Sequence, residues 1–212
     1  MNEYASVPSA DARLTGRALG IDVGGTGIKA AVIDLASGQL VTERIRARTP
    51  RRATPQALLG VVVDVVRRLE ATGVLTPDMP GGAGFPSVIR AGRALTATQL
   101  HRSWIGAPVH EMLEQRLGRS MVVLNDADAA GVGEMALGAG QGQSGVVLLL
   151  ALGTGIGSAL FIDGQLSGRR ARRARRTSWV ARSAIGNCGM SADSGVVGGA
   201  RSGRGAPSRR AA

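Results

Sequence analysis

An apolar run from Ala18 to Val23 stops at Gly24-Gly25-Thr26-Gly27 and resumes from Ile28 to Leu35. Two such runs joined by so short a glycine linker read as strand, tight turn, strand. Ser37-Gly38 marks a second reversal, and Leu40 to Ala47 alternates as a third strand. Thr54-Pro55 then opens a helix with a hydroxyl cap and proline in the first turn. Its apolar face is Leu58, Val62, Val65, Val66 and Leu69, at helical spacing. Residues 79–85 predict a glycine-rich strand ending at Pro86, and a short hairpin follows around Arg90–Arg93. Beyond it the pattern predicts a helix over Val109–Leu117, a strand over Met121–Leu124 and a helix over Ala127–Leu137 capped by Asp126. Strands over Val146–Leu152 and Ser158–Ile162 close the patterned region, with a turn at Asp163-Gly164. A meander of three strands followed by alternating helices and strands is a mixed-sheet α/β architecture.

The formal net charge of +11 suggests a nucleic-acid binder until it is divided along the chain. Met1 to Ser167 holds 15 Lys+Arg against 14 Asp+Glu, a net of +1. Gly168 to Ala212 holds 11 Arg and one acid, Asp193, a net of +10. The basicity belongs to the last segment, so any nucleic-acid contact is expected of that tail alone. Aromatics are 2% of the chain, too few for base-stacking platforms. A single cysteine, Cys188, excludes a disulfide framework or a cysteine-rich zinc site. The longest uncharged run, Gly145 to Ile162, is broken by Gly153-Thr154-Gly155-Ile156-Gly157, which suits a strand turn better than a membrane span. No basic start with an apolar stretch marks a signal peptide, and the expectation is a soluble, cytoplasmic protein without a membrane partner.

Three motifs carry chemistry. In the first, Asp22-Val23-Gly24-Gly25-Thr26-Gly27-Ile28-Lys29, glycines let backbone N–H groups close around phosphate oxygens. Asp22 at the strand end is placed to hold a divalent cation, and Thr26 and Lys29 add a hydroxyl and a charge. A plain hairpin turn is the competing reading. The second, Gly153-Thr154-Gly155, lies between two further apolar runs and suggests a phosphate chain gripped from both sides; a close backbone crossing is its alternative. The third is Asn125-Asp126-Ala127-Asp128 at a strand-to-helix junction. A carboxylate there can take the proton of a hydroxyl attacking phosphorus, and Asn125 can bind sugar hydroxyls. Equally, Asp126 or Asp128 can serve only as a helix cap.

Together these motifs, with Gly84-Phe85-Pro86 and Ser103-Trp104, resemble the ROK family of sugar kinases, nearest to its actinobacterial polyphosphate glucokinases, over about residues 18–166. The resemblance implies an actin-like ATPase (ribonuclease H-like) α/β fold of two domains closing over a cleft. It implies phosphoryl transfer to the 6-hydroxyl of glucose, with Mg²⁺ and polyphosphate or ATP as donor. It makes Asp126 the catalytic base. Gly84, Phe85, Pro86 and Asn125 join Asp126 at the sugar, and Asp22 becomes the Mg²⁺ ligand. Asp22, Gly24, Gly25, Thr26, Lys29, Gly153, Thr154 and Gly155 would line the phosphate path. Family members also tend to be dimers.

The expected organisation is a loose arm at 1–16, an N-terminal actin-like domain at 17–140, the start of a second domain at 141–167 and an Arg/Gly/Ser/Ala-rich tail at 168–212. Where the family carries a Glu-Leu-Gly-His segment that holds the sugar, this chain has Gly168-Arg169-Arg170-Ala171-Arg172. Gln99 stands where the family usually has Asn. The tail has the composition of a frame-shifted C-terminus of GC-rich coding DNA, and the chain is expected to be poorly active. A non-catalytic phosphate-binding fragment is therefore the alternative to a kinase. A sugar-responsive repressor of the same family would need a helix-turn-helix that the 17 residues before Ala18 do not provide.

Overall fold

The computed structural model describes residues 15–152 and 156–167. The glycine turn closes a hairpin of β1 (Arg17–Val23) and β2 (Gly27–Asp34), and β3 (Ile45–Arg48) adds to the outer edge of β2. After helix α1 (Pro55–Glu70) the chain returns as β4 (Gly81–Phe85), parallel to β1. A small hairpin, β5 (Ile89–Arg90) and β6 (Arg93–Ala94), and a 3-10 turn at Arg102–Trp104 lead to α2 (Val109–Leu117). Then β7 (Met121–Asn125) lies parallel to β4, giving a five-stranded mixed sheet in the order β3-β2-β1-β4-β7. Helix α3 (Asp126–Leu137) leads to a second, antiparallel sheet of β8 (Val146–Leu152), β9 (Ile156–Ile162) and β10 (Gln165–Leu166).

Alternation along the first hairpin decides which face is covered. Leu19, Ile21, Val23, Ile28, Ala30 and Val32 are buried on one side, beneath Leu58, Leu59, Val62, Val65, Val66 and Leu69 of α1. Each such aliphatic contributes about 1.5–3 kcal/mol relative to exposure, which outweighs the helix-propensity cost of the β-branched valines. Thr54 caps α1 by accepting from the Ala57 N–H, as its position before Pro55 predicts. Trp104 is fully buried, donates its indole N–H to the Ala53 carbonyl at 2.8 Å, and meets Phe85 edge-on at 4.9 Å between centroids. Arg119, its side chain 1% exposed, pairs with Glu70 at 2.7 Å and donates to the carbonyls of Thr76 and Met79. That guanidinium ties the end of α1 to the approach to β7.

The second sheet packs one face on α3. Met135, Ala159, Phe161 and Leu166 form this smaller core, joined by Val132, Val147 and Leu149. Gly131 lets helix and sheet approach, since a Cβ there would lie 2.7 Å from Phe161 Cε2. The opposite face carries the exposed aliphatics Leu148, Leu150, Ile156 and Ile162.

Two expectations need correction. The third strand begins at Ile45 rather than Leu40, which makes only an isolated bridge to Ile33. Val32 donates its N–H to the Thr42 hydroxyl instead of to a strand carbonyl, and this side-chain bond interrupts the ladder. The cap of α3 is Asn125, not Asp126: Asn125 Oδ1 accepts from the N–H groups of Ala127 and Asp128. No described helix is long and apolar enough to cross a membrane. Most of the expected N-terminal arm, the turn residues Gly153, Thr154 and Gly155, and the Arg-rich tail lie outside the described residues.

Candidate active site

The glycine turn is braced from behind. Gly24 donates to the Gly27 carbonyl at 2.8 Å, the Thr49 hydroxyl donates to the Gly24 carbonyl at 2.6 Å, and the Thr49 N–H reaches the Thr26 carbonyl at 3.2 Å. These bonds occupy the carbonyls of Gly24, Thr26 and Gly27. The N–H groups of Gly25 and Thr26 donate to no described acceptor, and both residues are exposed. An exposed pair of free donors at a turn suits an anionic oxygen. Any preference for glycine here comes from space and not from conformation: none of Gly24, Gly25 and Gly27 has a positive φ. A Cβ on Gly24 would lie 3.0 Å from the Gly27 carbonyl oxygen, and one on Gly25 would lie 2.7 Å from Gln99 Oε1.

One cross-strand row organises the rest. The register aligns Leu124, Gly84, Asp22, Lys29 and Arg46 across all five strands of the first sheet. Residues in register share a face, here the face opposite α1. Lys29 Nζ lies 3.3 Å from Asp22 Oδ2, both partly buried. Over Gly84 sits the start of α3, with the Asp126 Cα 3.5 Å from where a Gly84 Cβ would be. Gly84 thus lies directly beneath the first residue of α3.

Asp126 holds its Oδ1 against the Ala127 N–H at 2.9 Å and otherwise opens to solvent. Partial burial raises its pKa above the ordinary carboxylate range, and the neighbouring negative charge of Asp22 raises it further. Hydrogen bonds from the backbone and from Asn125 oppose the shift without cancelling it. A carboxylate raised by burial and a like charge is a stronger base than a free one once ionised.

The sugar-side residues divide in two. Asn125 donates Nδ2–H to the Ser87 carbonyl at 3.0 Å while its oxygen caps α3. Phe85 is 1% exposed and packs edge-on against Trp104, and Pro86 is buried beside it, so both support the loop from below. Neither Thr49, which carries no motif, nor the position of Gln99 over the glycine turn is legible in the sequence. Nor is the role of Ser87, 2% exposed, whose hydroxyl donates to the Thr96 carbonyl at 2.7 Å and holds the loop shut.

No group of three or more His, Cys, Asp or Glu side chains gathers as a metal cage among the described residues. Asp22 is a single hard oxygen donor beside Asp126. That set fits Mg²⁺, which keeps waters and takes one or two carboxylates together with substrate phosphates.

The sheet order, the glycine turn on the first hairpin and the strand-end carboxylates define the class of actin-like ATPase folds. The chain belongs to the ROK family, whose sequence model matches residues 18–191, further than the motifs at 18–166 had reached. It is 41% identical over 165 residues to the polyphosphate glucokinase of Mycobacterium tuberculosis, covering 77% of this chain and 59% of that protein. Among solved structures it is similar to the inorganic polyphosphate/ATP-glucomannokinase of Arthrobacter sp. strain KM, at 44% identity and a TM-score of 0.68. That match covers 72% of this chain and 60% of the other. A ROK family glucokinase from Streptomyces griseus, solved with glucose and AMPPNP, aligns at 32% identity and a TM-score of 0.61. There the coverage is 73% of this chain and 47% of that one. The chain therefore spans about three-fifths or less of the length of these relatives.

Proposed function

We propose that this chain carries the acceptor side and the first phosphate turn of a glucokinase-type phosphotransferase, moving a phosphoryl group from polyphosphate or ATP to the 6-hydroxyl of glucose. The observation that carries the reading is the seat of Asp126: a carboxylate of raised pKa on bare Gly84, one strand from Asp22 and the glycine turn. Names of relatives that include polyphosphate glucokinase and glucokinase support it.

In this reading the Gly25 and Thr26 N–H groups hold donor oxygens, with Lys29 adding positive charge. Gly153, Thr154 and Gly155 are assigned to the same donor chain. Asp126 accepts the proton of the sugar hydroxyl as its oxygen attacks phosphorus. Asn125 and the loop from Gly84 through Ser87 position the sugar. Bound Mg²⁺ would neutralise charge on the transferring phosphates, with Asp22 its protein ligand. The second sheet is the start of the domain that closes the donor side, and the cytoplasm is the compartment where such donors reside.

The test is glucose 6-phosphate formation with glucose, Mg²⁺ and polyphosphate or ATP, comparing the protein with Asp126→Asn. Turnover lost on that substitution supports the proposal; unchanged turnover overturns it. A second reading, phosphate binding without turnover, is favoured by the coverage of the relatives and by the bare apolar face of the second sheet. Phosphate binding with no product from the unsubstituted protein would establish it.

A further inference from the structure

The near-neutral charge of residues 1–167 conceals a local excess. Arg44, Arg46, Arg48, Arg51 and Arg52 place five arginines in nine residues, and Glu43 is the one acid between Asp34 and Asp64. With those five set aside, the remainder of 1–167 has a net charge of −4. Arg46 and Arg48 are exposed on β3, the edge strand, while the alternating Ile45 and Ala47 turn to the core. Residues two apart on a strand share a face about 7 Å apart, so these two guanidiniums point the same way.

The strip runs into the phosphate turn. Arg48 is in register with Gly27, Arg46 with Lys29, and Thr49 braces the turn itself. Arg51 and Arg52 follow at once and are exposed. At the other end a hollow of about 520 Å³ opens beside Thr42, Arg44, Arg46 and Arg68. Arg44 lines it, and its Nε is buried without a hydrogen-bond partner. Among the described residues none of Arg44, Arg46, Arg48, Arg51 and Arg52 forms an ion pair.

The geometry points to the β3 edge as a track for a linear inorganic polyphosphate, holding the part of the donor chain that trails away from the glycine turn. This rests on the reading of that turn as the phosphate site. Repeating positive charge along one edge matches a ligand with repeating negative charge and nothing else to recognise. No aromatic residue lies between Arg44 and Arg52 on which a base could stack, which favours polyphosphate over nucleic acid or the adenine of ATP.

Because the tail carries 11 Arg of its own, the experiment must resolve individual sites. The full chain is treated with an arginine-selective dicarbonyl, and modification at each arginine is followed by peptide mass spectrometry. The additions are long-chain polyphosphate, tripolyphosphate or single-stranded DNA of equal total charge. Long-chain polyphosphate is expected to slow modification of Arg46, Arg48, Arg51 and Arg52 at least fivefold, and tripolyphosphate less than twofold. Protection confined to the tail overturns the track, and equal protection by DNA overturns the choice of polyphosphate.

In parallel, an Arg46→Gln/Arg48→Gln double variant, which leaves the core-facing Ile45 and Ala47 intact, should weaken long-chain binding at least tenfold and tripolyphosphate binding less than twofold. Equal loss for both ligands, or loss for neither, rejects the track. Failure of the turn reading is separate: Thr26→Pro, which removes one of the two donor N–H groups, would then leave tripolyphosphate binding unchanged, whatever the arginines do.

Discussion

The Asn125 carboxamide joins two loops, donating to the Ser87 carbonyl at 3.0 Å while its oxygen receives the first free N–H groups of α3. One side chain thereby fixes the helix that carries Asp126 and the loop that ends β4. Asn125→Ala should cost about 1 kcal/mol for the lost cap and about 1 kcal/mol for the lost bond. Urea denaturation checks this through a lower midpoint at unchanged slope. Asn125→Asp keeps the cap, so it should recover about half of that loss.

Asp126→Asn should reduce glucose phosphorylation by about 10²–10⁴-fold, the usual worth of a positioned base. The rate of the unsubstituted protein should rise with pH on a limb above the ordinary carboxylate range. Asp22→Asn removes the like charge, so residual activity of that variant should show the limb moved to lower pH. The same shift has a stability consequence. A carboxyl whose pKa is raised by folding is penalised when ionised, so the penalty is present above its folded pKa and absent below its unfolded pKa. Melting temperatures should therefore favour Asp126→Asn at pH 7 and converge with the parent in acid.

Two glycines of α3 should respond in opposite directions to alanine. Gly133 has nothing within 4 Å of an added Cβ, so Gly133→Ala should stabilise by about 0.5–1 kcal/mol through helix propensity. At Gly131 the same gain is opposed by overlap with Phe161 and Ala159 at 2.7 and 2.8 Å, both fully packed. Overpacking of this kind costs about 1–3 kcal/mol, so Gly131→Ala should come out destabilised. Chemical denaturation of the pair reads the contrast directly.

Arg119→Ala should be the most damaging surface-remote change outside the core aliphatics. It leaves the Met79 carbonyl without the guanidinium donor, the Thr76 carbonyl with only the Met79 N–H, and Glu70 without its partner. Glu70 is partly exposed and can rehydrate, so the loss is set by the buried bonds to charge, about 3 kcal/mol. A calorimetric melt well below that of the parent is the expected result.

Much of this was legible along the chain. The apolar run Ala18–Val23 and the 3.6-residue spacing from Leu58 to Leu69 are local patterns, and β1 and α1 fall where they predict. The motif order likewise located the glycine turn, Gly84 and the Asn125-Asp126 junction. Leu40–Ala47 misled because an alternating pattern cannot show that Thr42 will divert the Val32 N–H. Asp126 was read as the cap because three capping-competent residues, Asn125, Asp126 and Asp128, crowd one helix start. Which of them turns back on the helix depends on where Ser87 stands.

Sequence alone determined the strand-turn-strand opening, the helix faces and the chemical types at the site, since these depend on neighbours within a few residues. Tertiary structure alone decided that Asp22, Lys29 and Arg46 form one row, that Gln99 lies over Gly25 and that Phe85 meets Trp104. Each of those is a matter of strand register or loop closure between segments distant in the chain. Register is set by the packed sheet as a whole, and no local pattern encodes it.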